Sequence, residues 1–298
     1  MNERSDSNVI FSGCGFDGNQ PYLDFDHEMD GRFHRRRFHL SDGAFTLRFL
    51  EERYCPGSFS LDRLMGSPCT SVTPLVNSSH NHCYACFETT GFNPAFYHMP
   101  MHKISPQQRN YNQERHAVYL AWFGPSVVKV GISSVRRLST RWKEQGARWA
   151  VQIAECFNAY EARELEEKIS QAFDLPEVIQ VATKKKLLRN TIDFREGRTQ
   201  LEELTTSVLE SFPNLNRGKV QTMDQAYFMS ALANHHLIDQ AESGKISGVP
   251  VALIGDILIS DNNGQLFMLS LKKWIGHSVL LTHVRESIDF HPQQTALF

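Results

Sequence analysis

Residues 116–147, HAVYLAWFGPSVVKVGISSVRRLSTRWKEQGA, decide the fold of the central part of the chain. Two apolar runs rich in β-branched and aromatic side chains, 118–123 and 127–132, flank Gly124 and Pro125. Short runs of this kind on both sides of a glycine-containing turn are typical of a β-hairpin. The stretch therefore predicts two paired strands at the start of a unit that mixes strands and helices.

A helix is predicted directly after this hairpin. It begins near residues 133–134, and Gly146 stands where helices commonly end in a left-handed residue. Val135, Leu138 and Trp142 follow the spacing i, i+3, i+7 and predict its buried face.

A third strand over residues 149–157 leads into a second helix. Asn158 can cap this helix, with Glu161 three residues on as the partner of a capping box. Glu166 lies beside the apolar stripe of the same helix, so its carboxylate borders the buried face. A third helix is predicted around residues 198–210.

Charged side chains of the first two helices predict a phosphate-binding site. Arg137 and Arg141 are four residues apart, so both leave the same side of the first helix, beside the hairpin. Glu166, near these arginines and Tyr119, could hold a divalent ion against a phosphate, because Mg²⁺ needs only one or two protein carboxylates. Each arginine would then stabilise charge that develops on the phosphate.

Each of these residues also has a purely structural interpretation. Tyr119 lies on an apolar strand and could be a core residue. Arg137 and Arg141 could form salt bridges with nearby acids on a solvated face. Glu166 shares its helix with other glutamates, and runs of charge on helices are usually exposed. The residues alone leave both interpretations open.

The composition narrows the class of protein. The chain has 298 residues, of which 41% are hydrophobic and 21% charged, and this allows two or three packed domains of roughly 100–150 residues each. The formal net charge is −2, so any phosphate-binding surface must come from local clusters of Arg and Lys. The opening MNERSDSNVI is polar, and the most apolar run, VPVALIGDILI, is too short to span a bilayer. We therefore expect a cytoplasmic protein without a membrane segment.

Four cysteines are spaced C-x13-C-x13-C-x2-C in a segment dense in Pro, Gly, Ser and Asn. They are Cys55, Cys69, Cys83 and Cys86. Such a segment has little apolar material to bury, and a structural Zn²⁺ would stabilise it by binding four thiolates. We predict a zinc site at these cysteines. His80 or His82 could replace one of them, and four free thiols are the alternative to a metal site.

The flanking regions predict a simple division of the chain. The first thirty residues, rich in Asp, Asn, Ser and Gly, predict a loosely ordered lead-in, and apolar residues around Ser41-Asp42-Gly43 predict a hairpin. Residues 104–115 predict a polar linker, and residues 224–242 a helix before a β-rich end that contains the turn DNNG. The predicted domains are 1–103 (β-hairpin and Cys-rich region), 104–205 (α+β domain) and 206–298 (helical and β-rich region).

Two clusters of basic residues predict contacts with nucleic acid. They comprise Arg35, Arg36 and Arg37 in RFHRRRF, and Lys184, Lys185 and Lys186 in KKKLLRN. Basic side chains beside aromatic ones can grip a phosphate backbone and stack bases. The first cluster could equally be the charged outer face of an edge strand, and the second a solubilising turn.

The motif VYLAWFGPSVVKVGIS…RRL…RW, followed by a glutamate-bearing helix, resembles a divergent GIY-YIG domain. Over roughly residues 45–290 the chain is also similar to the family DUF2797. That similarity rests on the Cys-rich, zinc-ribbon-like segment, the RWKEQGA element at 141–147 and a β-rich piece at 248–279. The resemblance implies an α+β fold with a small antiparallel sheet and flanking helices. It also implies a metal-dependent endonuclease that acts on DNA, RNA or tRNA with Mg²⁺ or Mn²⁺, beside a structural Zn²⁺.

The resemblance assigns roles to individual residues. Tyr119 would be the tyrosine of the first signature, Arg137 the catalytic arginine with Arg141 as a substitute, and Glu166 the metal ligand. Lys129 stands where the second signature normally has a tyrosine. A non-catalytic DNA- or RNA-binding protein therefore stays an alternative, as does a repurposed enzyme that acts on a tRNA-borne or small-molecule substrate.

Overall fold

The computed structural model describes residues 7–71, 74–75, 81–90, 92, 95–190, 193–227 and 236–288. These residues form an α+β protein, as predicted. The strands are β1 (Ser7–Asp17), β2 (Gln20–Met29), β3 (Arg32–His39), β4 (Phe45–Arg53), β5 (Ser58–Ser60), β6 (Met65–Ser67), β7 (His116–Gly124), β8 (Val127–Ser134), β9 (Trp149–Cys156), β10 (Gln221–Thr222), β11 (Leu237–Asp239), β12 (Lys245–Ile254), β13 (Ile257–Asn262), β14 (Gln265–Ser270) and β15 (His277–Thr282). The helices are α1 (Tyr84–Thr90), α2 (Pro106–Gln113), α3 (Leu138–Gln145), α4 (Ala159–Phe173), α5 (Val181–Leu188), α6 (Phe194–Ser211) and α7 (Asp224–Tyr227).

The predicted hairpin forms the centre of the smaller sheet. Among the described residues this sheet has the order β10-β9-β7-β8, and β7 pairs antiparallel with both β8 and β9. Strand β7 is buried along its whole length, because alternate side chains enter two different cores. Val118 and Trp122 pack with α4 and α6, whereas Tyr119 and Ala121 pack with α3 and the larger sheet. Burial of both faces explains the unbroken apolar run.

Helix α4 begins after Asn158, as predicted, and α3 ends at Gly146, as predicted, but α3 begins later than the predicted start near residues 133–134. Gly146 ends α3 with a φ of 81°, a left-handed value that favours glycine. Asn158 accepts a hydrogen bond from the Glu161 backbone N–H at 2.9 Å, which confirms it as the cap. The Glu161 carboxylate accepts its hydrogen bond from the Phe157 backbone N–H at 3.1 Å, one residue before the cap, so the reciprocal bond of a capping box is displaced by one residue. The prediction for Val135 is wrong, since this residue is 37% exposed. It lies in a 3₁₀ turn, and α3 begins only at Leu138.

The larger sheet corrects two predictions for the N-terminal region. Among the described residues its order is β11-β14-β13-β12-β4-β15-β1-β2-β3. The expected loose lead-in is wrong from residue 7 onward, because β1 and β2 are long paired strands whose Phe11, Leu23 and Phe25 are buried. The hairpin predicted around residues 41–43 is also wrong: β3 pairs with β2, and β4 pairs with β12 and β15. A local turn signal does not determine which strands pair when partners lie two hundred residues away.

Residues 104–115 are not a linker. They contain α2, which Ser105 caps by accepting a hydrogen bond from the Gln108 backbone N–H at 3.1 Å, with Pro106 in the first turn. Gln108, Tyr111 and Asn112 are buried in this helix. Polar composition suggested a linker, but packing against neighbouring elements buries these side chains.

The last third of the chain is partly as predicted. The third helix is confirmed as α6, while the helix predicted over residues 224–242 is wrong at its end, where β11 runs parallel to β14. Residues 228–235 of that prediction lie outside the described residues. The domain boundaries after residues 103 and 205 stay predictions. The pairing of β4 with β12 and β15 joins the first and third predicted units in one sheet.

Candidate functional site

A cleft of about 370 Å³ lies beside the β7–β8 hairpin. Residues of α2, α3 and α4 line it together with those of the hairpin. All five residues that the sequence predicts as catalytic lie along this cleft. They are Tyr119, Lys129, Arg137, Arg141 and Glu166. The structure thus brings the predicted residues together, and their catalytic roles stay a prediction.

Tyr119 lies at the base of the cleft and is fully buried. The Gln145 side chain bridges it to Arg141: the amide nitrogen donates to the Tyr119 hydroxyl at 2.8 Å, and the amide oxygen accepts from Arg141 Nε at 3.0 Å. Burial raises the pKa of Tyr119 to about 12, and Arg141 offsets only part of this rise. Tyr119 is therefore a neutral phenol at physiological pH.

Lys129 is a buried amine beside this tyrosine. Its Nζ donates to the Glu177 carbonyl at 2.7 Å and lies 5.8 Å from the centre of the Tyr119 ring. Burial, with a further contribution from Arg141, lowers the pKa of Lys129 to about 8, although Glu166 acts in the opposite direction. A lysine with this pKa exchanges its proton easily near neutral pH.

Glu166 faces the cleft from α4 instead of solvent. Arg163 Nη1 donates to the Glu166 carboxylate at 2.6 Å and to the Glu177 carboxylate at 2.7 Å, so one guanidinium joins two acids. Burial raises the pKa of Glu166, and Arg163 opposes this rise. The sequence analysis missed Arg163 and Glu177. Arg163 lies three residues before Glu166 on the same helix, and this spacing predicts that the two side chains are neighbours. Glu177 lies after the helix, and no sequence pattern connects it with Glu166 or Arg163.

The two predicted arginines differ in their contacts. Arg137 donates to both oxygens of the Glu144 carboxylate, at 3.0 and 2.7 Å, and lies 5.7 Å from the Phe59 ring. Arg141 approaches Glu144 only at 3.9 Å, and its side chain is 44% exposed. Arg137 is therefore largely committed to an internal salt bridge, while Arg141 is the arginine with donors available at the rim.

Four aromatic rings that were not predicted also line the cleft, and we call them its aromatic wall. Its rings are Phe92, Phe96, Tyr97 and Tyr111. Asn112, which follows Tyr111 on α2, also lines the cleft and is 1% exposed. The sequence analysis missed this wall because its residues lie in the Cys-rich region and in the supposed linker.

The four predicted cysteine ligands also converge. The sulfur atoms of Cys55, Cys69, Cys83 and Cys86 all lie within 4.8 Å of one another. Within the described residues the cluster consists of these four thiols, and His80 lies outside those residues. Four cysteines this close together could bind a metal such as zinc.

The predicted nucleic-acid contacts on β3 are mostly engaged within the protein. Arg35 and Arg37 form two-point salt bridges with Asp26 and Asp24, with shortest distances of 2.8 and 2.9 Å. Arg36 is exposed. Strand β3 is the edge strand of the larger sheet among the described residues. This agrees with the alternative interpretation, in which the arginines form the charged outer face of an edge strand.

The three predicted lysines of α5 lie in different environments. Lys185 binds the Asp239 carboxylate at 2.9 Å, and Lys184 lies 5.8 Å from the Phe123 ring. Burial lowers the pKa of Lys184. Lys186 is exposed. Contact of either basic cluster with nucleic acid stays a prediction.

Fold and site together define an α+β protein with a mixed-charge cleft and a separate four-cysteine cluster. The chain belongs to the family described as "Protein of unknown function (DUF2797)", whose model matches residues 44–279. No curated protein matches the chain, and neither does any solved structure. No helix in the described part of the chain is both long and apolar enough to cross a membrane. The predicted cytoplasmic location stays a prediction.

Proposed function

We propose that this protein is a metal-dependent phosphodiesterase that acts on nucleic acid, built on a GIY-YIG-like core. The observation that carries the proposal is the convergence of Tyr119, Lys129, Arg141 and Glu166 on one cleft. Four cationic and two acidic side chains line this cleft among the described residues, so it favours an anionic ligand such as a phosphodiester.

The core architecture supports the proposal. Strands β8, β7 and β9 form a three-stranded antiparallel unit, with α3 and α4 packed on it. This is the arrangement that the resemblance to GIY-YIG domains implies. Tyr119 stands opposite Gly131 on adjacent strands, so residues of both signature-like segments meet at the cleft.

The carboxylates of the cleft fit a hard divalent cation. Glu166 and Glu177 already share one cation, the Arg163 guanidinium, and the hydrogen bonds described for the Glu166 carboxylate involve only Oε2. One or two carboxylates suffice for Mg²⁺ or Mn²⁺, since water and substrate phosphate complete the shell. Glu166 would hold the ion, which would polarise the phosphate and activate a bound water.

The remaining side chains would bind and orient the phosphodiester. Arg141 would neutralise charge on the phosphate, because its guanidinium is exposed at the rim and Gln145 fixes it to Tyr119. Arg137, held by Glu144, would position this wall of the cleft. Lys129, with a pKa near 8, would accept or donate a proton next to the attacking water, the task that a tyrosine has in the family pattern.

The decisive test is cleavage of DNA, RNA and tRNA in the presence of Mg²⁺ or Mn²⁺. Glu166→Gln keeps a hydrogen-bond partner for Arg163 and should reduce cleavage by at least about 100-fold while leaving affinity within a few-fold. The matched control is Glu164→Gln on the exposed side of the same helix, which should cleave like the wild type. Cleavage that persists in Glu166→Gln, or in excess chelator, would refute the proposal.

The salt bridge of Glu166 favours a second candidate function. Because Arg163 already neutralises this carboxylate, the cleft could bind nucleic acid without hydrolysing it. This candidate predicts salt-sensitive binding with no divalent-dependent cleavage of any of the three substrates. The same screen therefore separates the two functions.

We also propose that the four-cysteine cluster is a structural Zn²⁺ site of a zinc-ribbon-like segment. The sulfurs of Cys69 and Cys83 lie 3.7 Å apart. A tetrahedron with Zn–S bonds of about 2.3 Å has edges of about 3.8 Å, so the spacing fits zinc. The Ser71 backbone N–H donates to the Cys69 sulfur at 3.3 Å, a contact that favours a thiolate.

A further inference from the structure

The aromatic wall of the cleft contains rings on which a flat ligand could stack. Phe92 and Tyr111 meet edge to face with centroids 6.5 Å apart, and Phe96 and Tyr97 do so at 5.5 Å. Phe92 is 46% exposed although it belongs to this wall. Aromatic faces beside cationic groups are the usual surface on which proteins stack unpaired bases.

Asn112 adds a polar feature to the same wall. Both polar atoms of its side-chain amide are buried, and neither has a hydrogen-bond partner among the described residues. An amide offers donors on its nitrogen and an acceptor on its oxygen, and the edge of a nucleobase carries the complementary pair. Buried polar side chains without partners are rare, so this amide points to a ligand that would pair with it.

Arg141 at the rim is the third feature of the cleft, beside the aromatic rings and the Asn112 amide. Arg141 lines the same cleft, and its side chain is 44% exposed; Gln145 accepts a hydrogen bond from its Nε, and its contact with Glu144 is long, at 3.9 Å. A ligand with a flat polar ring and an attached phosphate satisfies the wall, the amide and the arginine together. The volume of about 370 Å³ is within the range of roughly 300–1,000 Å³ that is typical of small-ligand pockets.

We infer that the cleft binds one unpaired nucleotide of a single-stranded nucleic acid, with its base against Phe92, Tyr111 and Asn112 and its phosphate at Arg141. This inference rests on the proposed function and names the substrate class of that site. A base within a duplex is stacked on both faces and cannot reach the wall. Neighbouring side chains cover the Asn112 amide, so the base enters by displacing a ring, and Phe92 is the most exposed ring of the wall.

The test measures binding without added Mg²⁺ or Mn²⁺ and without chelator, so that divalent-dependent hydrolysis does not occur and the proposed Zn²⁺ stays in place. The probes are fluorescently labelled single strands of RNA and DNA, the corresponding duplexes, and free nucleoside monophosphates. The single strand should bind at least about tenfold more tightly than either the duplex or the free nucleotide. Phe92→Ala should weaken its binding about fivefold or more, as expected when a stacking ring is lost. The matched control Phe87→Ala removes a 53%-exposed phenylalanine of α1 that does not line the cleft, and it should change affinity less than twofold.

Asn112→Leu tests the base contact separately. This variant has nearly the same shape and removes no hydrogen bond of the described protein, so it should fold and unfold like the wild type. It should reduce the difference in affinity among oligoadenylate, oligocytidylate and oligouridylate at least about threefold. The control Asn110→Leu, on the exposed side of α2, should leave that preference unchanged.

Three results would overturn the inference: equal affinity for duplex and single strand, a free nucleotide that binds as tightly as the strand, or wild-type binding by both Phe92→Ala and Asn112→Leu. None of them depends on catalysis. If Glu166-dependent cleavage is found together with any of these results, the proposed function stands and the unpaired-nucleotide site falls. If no cleavage is found but the binding results are as expected, the site stands without the hydrolysis.

Discussion

Gly131 of β8 lies directly opposite Tyr119 of β7, and the Tyr119 ring lies over the space that a side chain at position 131 would fill. A Cβ atom at this position would lie 2.6 Å from the Tyr119 hydroxyl and 3.0 Å from Lys129 Cε. Close approach of these two cleft residues therefore requires glycine at 131. Gly131→Ala should lower the free energy of unfolding by about 1–3 kcal/mol, measured by urea denaturation.

A double-mutant cycle with Tyr119 shows whether this clash is the cause. In a Tyr119→Ala background the ring is absent, so adding Gly131→Ala should cost less than about 1 kcal/mol. If the cost is the same in both backgrounds, the close packing of Tyr119 on Gly131 is not the reason for glycine at this position.

Lys129→Met should stabilise the protein at neutral pH. The pKa of Lys129 is lowered from 10.5 to about 8 by burial and by Arg141, so the folded state holds the charged amine at a cost. Between pH 8 and pH 10.5 Lys129 is protonated more in the unfolded chain than in the folded protein, so wild-type stability rises with pH over this range. The cost is therefore full below pH 8. Removal of the amine should add about 3 kcal/mol at pH 7, and this gain should shrink as pH approaches 10.5.

Urea unfolding at several pH values between 6 and about 10 measures this gain. Lys168→Met, an exposed change on α4, is the control and should give the same difference from wild type at every pH. A pH-independent effect of Lys129→Met would mean that the amine is not strained by burial. We expect Lys129→Met to gain stability and to lose phosphate binding in the cleft.

Local patterns predicted the central unit well because its determinants are close in sequence. The β7–β8 hairpin, the left-handed Gly146 and the Asn158 cap all depend on residues a few positions apart. The larger sheet could not be predicted in this way. Its strand β4 pairs with β12 and β15, and nothing near β4 indicates partners two hundred residues away.

The same distinction holds for the cleft. Tyr119, Arg141 and Glu166 were predictable from spacing and resemblance, and they do line one cleft. Asn112 was not predicted because the polar composition of residues 104–115 favours a linker. Ser105 and Pro106 in the same segment are nevertheless typical of a helix start. Glu177 follows α4 without any pattern, and only the fold brings it to Arg163.

Arg163→Met should destabilise the protein strongly at neutral pH. Arg163 neutralises both Glu166 and Glu177, so its loss leaves an uncompensated carboxylate in a buried position, at a cost of about 3 kcal/mol. Burial already raises the pKa of Glu166 above 4.5, and the loss of Arg163 should raise it further. Above pH 4.5 the Glu166 carboxyl of the folded variant then holds its proton more than that of the unfolded chain. The stability of the variant therefore falls as pH rises from 4.5 to the raised pKa of Glu166.

The deficit of Arg163→Met should therefore be larger at pH 7 than near pH 4.5, as measured by chemical denaturation at both values. The double variant Arg163→Met, Glu166→Gln should recover most of the lost stability, since no unpaired charge remains at 166. A deficit that is equal at both pH values, or not relieved by Glu166→Gln, would show that Arg163 acts by packing on Tyr97, 4.5 Å from the ring centre, and not by charge.

Loss of the proposed Zn²⁺ should alter the cleft as well as the cysteine segment. Arg136 clamps the two regions together by donating to the carbonyls of Leu61 and Asp62, and Phe59 of the cysteine segment lies against Arg137. Cys86→Ser should reduce bound zinc from about one equivalent to well below half, lower the melting temperature by several degrees, and weaken binding of nucleic acid at the cleft. Metal analysis, thermal unfolding and binding assays measure these effects.

Cys156→Ser, on β9 and outside the cluster, is the matched control and should keep its zinc and its affinity. If purified wild-type protein holds less than about half an equivalent of zinc, the structural metal site is wrong, and the clamp at Arg136 must hold the segment by itself.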